Sequence, residues 1–473
     1  MSRPSFLQFL WRESGQTLLI VLTIMLAVTV SATSFIWYMN QQQTRAGQRY
    51  RAVAALHLAQ AGLQRALAIL ESAAPDGTPG AAWRPRDYQE ALNVGDLEGH
   101  FTLTISDEPD GALLVESDGQ VGSVVRRLHA RVYLASPAFL AAVAGRSSVR
   151  FDGSSGLIAI FPYGALPDRP WIHLAAGREV WFGSTDVRLN DGTVSFPVPP
   201  GPLELAAPAE GGGASPVLDP ARLLVGPEAE LALGPDRQRV DLQQLRVAGL
   251  NVAAQLRRAD PFPTLPAVDR GYYRSLAEAN AANVEINRVA GRFAGDEILE
   301  RKEDSLYSAG QFDAVIRYLG TRKDRLALHG MIYVTGRVTL PVEAALEITD
   351  GALIAENTVT LGERALLRIT HTPRTRALPG IILLENGGLL VRPGSRLAVH
   401  GLIYTAQTVE IAGEGTVEVV GALASNDPGT SVRSRDATLV IRYDQAVLGT
   451  PGLRMPAEGP VSAWVAEWRE VAP

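Results

Sequence analysis

The chain has 473 residues, of which 46% are hydrophobic and 20% charged, proportions that are ordinary for a folded globular protein. It contains no cysteine, which excludes disulfide bonds, thiolate catalysis and cysteine-based zinc sites. Its net charge is -6 and its basic residues form only short runs, so nucleic-acid binding has little electrostatic support.

The first predicted element is an apolar helix over residues 17–39. No residue in this run is charged, and none is Pro or Gly. At about 1.5 Å per residue it is long enough to cross a hydrocarbon core of roughly 30 Å, and it exceeds the apolar region of a cleaved secretory signal. Trp37 and Tyr38 stand at its outer end, where amphipathic rings favour the membrane interface. We therefore expect a retained transmembrane helix.

Helical character continues beyond the apolar run. No Pro occurs between Pro4 and Pro75, and apolar residues recur at spacings of three, four and seven. This pattern predicts one helix over about residues 13–72, with residues 16–72 forming a transmembrane and stem segment. The stem's apolar face then needs a partner, which is either another subunit or the protein's own body. The face consists of Val53, Leu56, Leu63, Leu67 and Leu70, interrupted by Gln60.

The charges that flank the apolar run give conflicting signals about orientation. Arg3 and Arg12 precede the run, whereas Arg45, Arg49 and Arg51 follow it, so the positive-inside rule favours the second side as cytoplasmic. The short N-terminal segment and the large β-rich remainder favour the opposite orientation. We expect the N-terminus inside and the body exported.

Two segments of this helix resemble a known family. ESGQTLLIVLTIMLAV is similar to the prepilin leader junction of type IV pilin-like proteins, and LAQAGLQRALAIL resembles a stretch of PilX-like pilus assembly proteins. The resemblance covers about the first 70 residues. It implies a leader over residues 1–15, cleavage by prepilin peptidase after Gly15, Gln16 as the mature N-terminus, and packing against other pilin-like subunits. Major pilins carry Glu at the fifth mature position, where this chain has Ile20, so the resemblance implies an accessory role.

The body begins with strand patterns. Residues 98–135 alternate apolar and polar side chains between Asp-Gly-type turns, which predicts a small antiparallel sheet of three strands. Residues 136–325 follow as a β-rich region. It includes a Pro/Gly-rich insertion at 196–216 and two helical stretches at 269–283 and 309–320.

Residues 326–448 repeat. Short units that begin with Gly and continue with apolar residues are separated by 21, 29, 21 and 20 residues, with short alternating strands between them. This period predicts the coils of a right-handed parallel β-helix, in which stacked coils bury a common core; an antiparallel sandwich is the alternative. Residues 449–473 are predicted to form a tail, in which Trp464 and Trp468 indicate a short amphipathic helix or a tail that packs on the end of the stack. The units begin at Gly330, Gly351, Gly380, Gly401 and Gly421.

No pattern for catalysis or for a cofactor stands out. Carboxylates in the repeats alternate with apolar residues, as solvent-facing strand positions do, and the histidines lack metal-ligand spacing. Phosphate-binding glycine loops and the Gly-x-Ser-x-Gly elbow are absent from the sequence.

We therefore expect a mainly β protein with a long N-terminal helix and no catalytic, cofactor-binding or metal-binding residues. The expected function is a minor pilin-like subunit in the bacterial cell membrane and a surface pilus, carrying a β-helical head for assembly, capping or adhesion to a surface ligand. The alternatives are a membrane-anchored β-helical carbohydrate-active enzyme and an envelope scaffold outside any pilus.

Overall fold

The computed structural model describes most of the chain. The described residues are 13–109, 111–153, 156–163, 172–183, 186–189, 192–195, 204–206, 223–225, 228–233, 238–239, 246–247, 250–251, 256–258, 262–322, 325–455 and 461–471. Residues 1–12 of the predicted leader and most of the Pro/Gly-rich stretch at 196–216 lie outside them.

The chain begins with the long helix α1 (Glu13–Leu70), which ends two residues before the predicted stop. Its apolar N-terminal part is not buried, and by length and composition this is the one described helix that can cross a membrane. The buried face starts only at Ala54 and is built largely from small residues. The predicted apolar face was therefore wrong in part, since Val53 is 54% exposed while Ala55 and Ala59 are fully buried.

Small residues on α1 allow the helix to lie directly on an antiparallel sheet. A Cβ atom at Gly119 would lie 2.0 Å from the carbonyl oxygen of Ala55 and 2.4 Å from the nitrogen of Ala59. Ser117 donates a hydrogen bond of 2.8 Å to the Ala59 carbonyl. The stem's partner is thus the protein's own body. The first strands of this sheet are β1 (Tyr88–Val94), β2 (Leu97–Asp107), β3 (Leu113–Val121) and β4 (Val124–Ala135).

After this sheet the chain forms short strands that alternate between two larger, mostly parallel sheets. Among the described residues, three short 3-10 helices occur outside these strands, at Gly80–Ala82, Pro137–Leu140 and Gln445–Gly449. The strands up to residue 258 are β5 (Ala141–Gly145), β6 (Ser148–Asp152), β7 (Leu157–Pro162), β8 (Ile172–Ala176), β9 (Glu179–Phe182), β10 (Asp186–Leu189), β11 (Gly192–Ser195), β12 (Glu204–Ala206), β13 (Leu223–Val225), β14 (Glu230–Leu233), β15 (Gln238–Arg239), β16 (Arg246–Val247), β17 (Leu250–Asn251) and β18 (Leu256–Arg258).

Further strands follow a helical segment. They are β19 (Ala267–Val268), β20 (Leu306–Ser308), β21 (Leu326–His329), β22 (Ile332–Thr335), β23 (Val338–Leu340), β24 (Ala345–Thr349), β25 (Leu353–Ala355), β26 (Val359–Leu361), β27 (Leu366–Thr370), β28 (Ile381–Leu383), β29 (Leu389–Val391), β30 (Arg396–Thr405), β31 (Val409–Ala412), β32 (Thr416–Ser425), β33 (Thr430–Arg435), β34 (Thr438–Tyr443), β35 (Leu453–Arg454) and β36 (Ser462–Val471). The helices are α2 (Arg270–Glu278), α3 (Val284–Ala294), α4 (Glu297–Glu300) and α5 (Ala309–Arg322).

We call β5–β9, β13 and β20–β34 the parallel stack, because each of these strands pairs in parallel with equivalent strands elsewhere in the chain. The strands have alternating inward and outward side chains, since Val338 and Leu340 are buried and Thr339 between them is exposed. Stacking of the inward residues produces one continuous core. One row of that core pairs Ile332, Leu353, Ile381, Ile403, Leu423, Val143, Leu174 and Leu223 in succession.

The order of strands in the stack does not follow the order of the chain. Leu423 of β32 pairs with Val143 of β5, and β33 and β34 pair in the same way with β6 and β7. The chain therefore enters the stack at the level where its last coil ends. We call the level at which β32–β34 pair with β5–β7 the seam. The described strands of the stack between residues 141 and 225 continue it in one direction, and those between residues 306 and 443 lie on the other side of the seam.

The C-terminal residues close the antiparallel sheet. The predicted tail was wrong in its helical alternative, since β36 pairs antiparallel with β4, with Ser462 opposite Ala135 and Trp468 opposite Ala130. The sheet order is β1-β2-β3-β4-β36. The local sequence did not indicate this strand because its partner lies far away in the chain. Both connections to the parallel stack thus leave from adjacent strands of one sheet.

The Gly-led units pair mostly as their spacing predicts, with one exception. Ile332 and Leu353, the third residues of their units, are partners, but Leu353 pairs with Ile381, the second residue of the unit at Gly380. The long loop at 371–379 precedes this unit and shifts its alignment by one residue. The stacked glycines have little free space, because a Cβ atom at Gly351 would lie 1.9 Å from the carbonyl oxygen of Gly330.

Asparagine side chains join the helical segment to the first coil of residues 326–443. Asn283 is buried, donates hydrogen bonds of 2.9 Å to the Ser305 hydroxyl and the His329 carbonyl, and accepts one of 2.9 Å from the His329 amide. Asn287 likewise donates to two backbone carbonyls and accepts from the Tyr307 hydroxyl. The helices predicted at 269–283 and 309–320 correspond to α2 and α5, whereas α3 and α4 were not predicted.

Candidate functional site

The exposed N-terminal part of α1 is the first candidate functional site. Its threonine hydroxyls donate back to the carbonyl one turn earlier, as Thr23 does to Leu19 and Thr29 to Met25, each at 2.8 Å. These bonds satisfy the hydroxyl donors within the helix and reduce the cost of placing them in hydrocarbon. The segment can therefore lie in a membrane without leaving its polar groups unpaired.

The predicted processing and interface residues all lie on α1. Gly15 and Gln16 are in its first turn. Ile20, Trp37 and Tyr38 are 57%, 63% and 54% exposed. They are spread along a single helix, so the structure does not bring them together into a pocket. The side chains of Ile20, Trp37 and Tyr38 are accessible to a membrane or to a second helix.

Basic residues follow this apolar segment within about three helical turns. Arg45, Arg49 and Arg51 are exposed. None of the three forms an ion pair with a described residue. These arginines lie on the same side of the apolar segment as the antiparallel sheet and the parallel stack. The positive-inside rule alone assigns that side to the cytoplasm.

A polar groove on the parallel stack is the second candidate site. It has a volume of about 370 Å³ and crosses the strands β26, β29, β31 and β33. Amide, hydroxyl, carboxylate and guanidinium groups line it, together with Leu390. Sequence reasoning missed these residues; the one available signal was the pair Gly387-Gly388 beside Asn386, in a turn between β28 and β29 that is longer than the equivalent turns before β26 and β31.

Carboxylates of the repeats pair with arginines of neighbouring coils. Glu347 forms salt bridges with Arg325 at 2.9 Å and with Arg368 at 3.3 Å, and Glu418 forms one with Arg396 at 2.6 Å. Within the described residues no group of three or more His, Asp or Glu side chains is placed to hold a metal ion. These surface pairs fit the prediction that the repeat carboxylates face solvent.

Two histidines lie against each other on adjacent coils. The His371 ring nitrogen Nε2 lies 2.8 Å from the Gly351 carbonyl, and the His371 amide donates to Nδ1 of His400 at 3.4 Å. Burial lowers the pKa of both imidazoles, and in His371 the hydrogen bond to Gly351 opposes that shift. Both rings are therefore neutral near pH 7, which suits a structural role.

The loop that follows His371 forms a salt bridge at the seam of the stack. Arg376 donates to both carboxylate oxygens of the buried Asp444, at 2.5 and 2.8 Å. Asp444 also accepts from the Ala446 amide at 3.0 Å and so caps the 3-10 helix that leaves the stack. The guanidinium lies 5.2 Å from the centre of the Tyr163 ring. The local sequence around Arg376 indicated only a polar loop, because its partners lie on other coils.

Comparison with known proteins gives matches among solved structures. No family model matches the chain, and no curated protein matches it. Among solved structures, the chain is similar to the crystal structure of the competence-associated pilin ComZ from Thermus thermophilus. The similarity covers 89% of this chain and 98% of that one, with 13% sequence identity and a TM-score of 0.22.

Proposed function

We propose that the chain is a structural, non-enzymatic subunit of a type IV pilus-like surface system, anchored by α1 and displaying the parallel stack as its head. The observation that carries the proposal is the division of α1 into two parts. The apolar N-terminal part is unburied, while the C-terminal part packs on the antiparallel sheet. A helix of this kind serves both as a membrane anchor and as a rigid connection to a folded body.

Maturation belongs to the same proposal. Prepilin peptidase cleaves after Gly15 and leaves Gln16 as the first residue of the apolar helix. Ile20 then occupies the fifth mature position, so the charge that major pilins place there is lacking. The uncharged side chain at this position supports an accessory role for the subunit. The subunit packs through α1 against other pilin-like subunits.

The head is the part that the anchor presents. We infer that the parallel stack is a right-handed β-helix whose coils alternate between the two large sheets. Support comes from the parallel partners of β21–β34, each offset by about one repeat along the chain. The body is exported from the bacterial cell, with the helix in the inner membrane or in a surface pilus. There the head assembles, caps or adheres.

The test is mass spectrometry of the mature N-terminus, combined with fractionation of cells that express the full chain. We expect the peptide to begin at Gln16, and the variant Gly15→Leu to accumulate as an unprocessed membrane protein. The matched control is Gly47→Leu, which changes a helical glycine with free space around it beyond the apolar run. A mature chain that retains Met1, or that is cut far from Gly15, contradicts the proposal.

A second measurement separates a pilus subunit from an envelope scaffold. Filaments sheared from the cell surface should contain the processed chain, and the Gly15→Leu variant should be absent from them. A processed chain that stays entirely in the membrane fraction while filaments form would favour the scaffold.

A further inference from the structure

One turn of the parallel stack lacks a side chain that its neighbours carry. Thr358, Gly388 and Thr408 each precede an inward residue, and these inward residues, Val359, Leu389 and Val409, pair in succession. The three positions are therefore equivalent on adjacent coils. Gly388 has no side chain between the two hydroxyl-bearing residues, and a Cβ atom there would lie 3.0 Å from the Thr408 carbonyl oxygen. The backbone itself therefore forms this part of the groove described above, which we call the notch.

The groups around this notch are polar and largely unused. The side chains of Asn386, Gln407 and Glu410 have no hydrogen-bond partner among the described residues. Asn386 and Glu410 are exposed and Gln407 is half-buried. Two amides and one carboxylate thus offer donors and acceptors to a ligand without first breaking bonds inside the protein.

The backbone that carries these groups is held by the ladder of the stack. The Val359 amide donates to the Gly388 carbonyl at 2.9 Å, and the Leu389 amide donates to the Thr408 carbonyl at 3.0 Å. Adjacent strands lie about 4.8 Å apart, so equivalent polar groups repeat at that interval across the groove. A site built on such a scaffold is preorganised and loses little conformational entropy on binding.

We propose that this groove binds an oligosaccharide chain that lies across the strands. The inference deepens the proposed function by naming the ligand class of the displayed head. Sugar hydroxyls act as both donors and acceptors, as do amide groups, while carboxylate and guanidinium groups can each bond two neighbouring hydroxyls. Leu390 supplies an apolar contact for a sugar's C–H face. Arg433 lies on the last strand of the groove, where its guanidinium also pairs with Asp152 at 3.3 Å.

The composition of the groove also determines what it does to a glycan. Glu410 is the one carboxylate among the described residues that line it. Glycoside hydrolysis ordinarily requires two carboxyl groups that flank the scissile bond. The groove is therefore assigned to binding, in agreement with a non-enzymatic head.

The test is isothermal titration calorimetry of the full chain in detergent with three probes: maltohexaose, chitohexaose and a galacturonate hexamer. We expect at least one to bind with a Kd of about 1 mM or tighter. The double variant Asn386→Ala/Gln407→Ala should weaken that binding by about 10-fold or more, since it removes two ligand-facing amides. Both side chains lack described partners, so the fold should be unaffected, which circular dichroism and thermal unfolding verify.

The matched control is Thr339→Ala/Glu363→Ala, which removes two exposed polar side chains of the same stack outside the groove. This variant should bind as the wild type does. The proposal is overturned if none of the three hexasaccharides binds, or if the groove variant binds as tightly as the control. Because binding is measured on purified chain, either result is independent of processing at Gly15 and of incorporation into filaments.

Discussion

The hydroxyl of Tyr443 donates a hydrogen bond of 2.9 Å to the carbonyl of Phe139, 304 residues earlier in the chain. Both side chains are almost fully buried. Tyr443 ends the last strand of the parallel stack, and Phe139 lies in the 3-10 helix that enters it. This bond therefore joins the entrance and exit of the body at one level, where the connections from β4 and to β36 also lie.

Replacement of this tyrosine should weaken the seam. In Tyr443→Phe the Phe139 carbonyl loses a buried donor, which we expect to lower the free energy of unfolding by about 1–2 kcal/mol. Denaturant unfolding of the full chain in detergent measures the loss. Tyr50→Phe, at an exposed tyrosine of α1, serves as the control and should change stability little. Equal stability of the two variants would contradict a stabilising role for the bond.

Docking of the stem should depend on Gly119. A Cβ atom there would lie 2.0 Å from the Ala55 carbonyl oxygen, and that backbone atom cannot rotate away as a side chain does. Gly119→Ala should cost roughly 1–3 kcal/mol and expose the stem to limited proteolysis after residue 52. Gly47→Ala is the control, since a Cβ atom at Gly47 has nothing within 4 Å. It should leave the digestion pattern unchanged.

The helical segment should loosen when Asn283 is truncated. Asn283→Ala leaves the His329 amide without its side-chain acceptor and removes one of the two asparagine donors to the His329 carbonyl, the other being Asn280. We expect a loss of about 2–3 kcal/mol, with faster hydrogen exchange at residues 329–331. Asn386→Ala, at an exposed asparagine, provides the comparison. Unchanged exchange in the Asn283 variant would show that the segment is held by apolar contacts alone.

Residues with a positive φ at the turns of the stack should tolerate replacement by glycine, whereas replacement by a β-branched residue should lower the stability. Arg364 has a φ of 57° and its counterpart on the next coil, Gly394, has a φ of 70°. Because a left-handed conformation costs a non-glycine residue about 1–2 kcal/mol, Arg364→Gly should stay within about 1 kcal/mol of the wild type. Arg364→Val should be less stable than Arg364→Gly. The stabilities of the two variants are compared by their thermal unfolding midpoints. A higher midpoint for Arg364→Val than for Arg364→Gly would refute the prediction.

Stability should fall in mild acid because of His371. Burial holds the pKa of this imidazole below the value of about 6.5 that it has when unfolded. Below pH 6.5 the unfolded chain therefore binds a proton that the folded chain does not, which favours unfolding. His371 thus contributes full stability above about pH 6.5, and the contribution decreases as the pH falls from there to the folded pKa.

Substitution separates this contribution from other titrations. His371→Gln should flatten the decrease between neutral pH and pH 5, although His400, whose pKa is also lowered, retains part of it. Asp350 faces His371 and opposes the shift electrostatically. Unfolding midpoints measured across this pH range test the expectation, with His57→Gln at an exposed site as the control. A His371 variant with the wild-type slope would contradict it.

The elements that depend on local pattern were predictable. The helix α1 follows from a long run without Pro, the strands β2–β4 from alternation, and the parallel pairing of the strands over residues 326–443 from their period. Each of these signals lies within a window of about 20–60 residues, so the residues that decide the element are near one another in sequence. The coarse fold, a mainly β protein with one long apolar N-terminal helix, was confirmed for this reason.

Contacts between distant segments decided the rest. Four features each need partners from distant segments of the chain. They are the pairing of β5 with β32, the strand at Ser462–Val471, the salt bridge between Arg376 and Asp444, and the notch at Gly388. Alternation or a polar loop is visible locally, but the choice of partner depends on which backbone edges and buried surfaces meet after folding. An apolar helix and a repeating β body follow from local sequence alone. The closure of the body near Tyr443 and Phe139 depends on tertiary contacts, because it requires strands 280 residues apart, such as those of Leu423 and Val143, to pair.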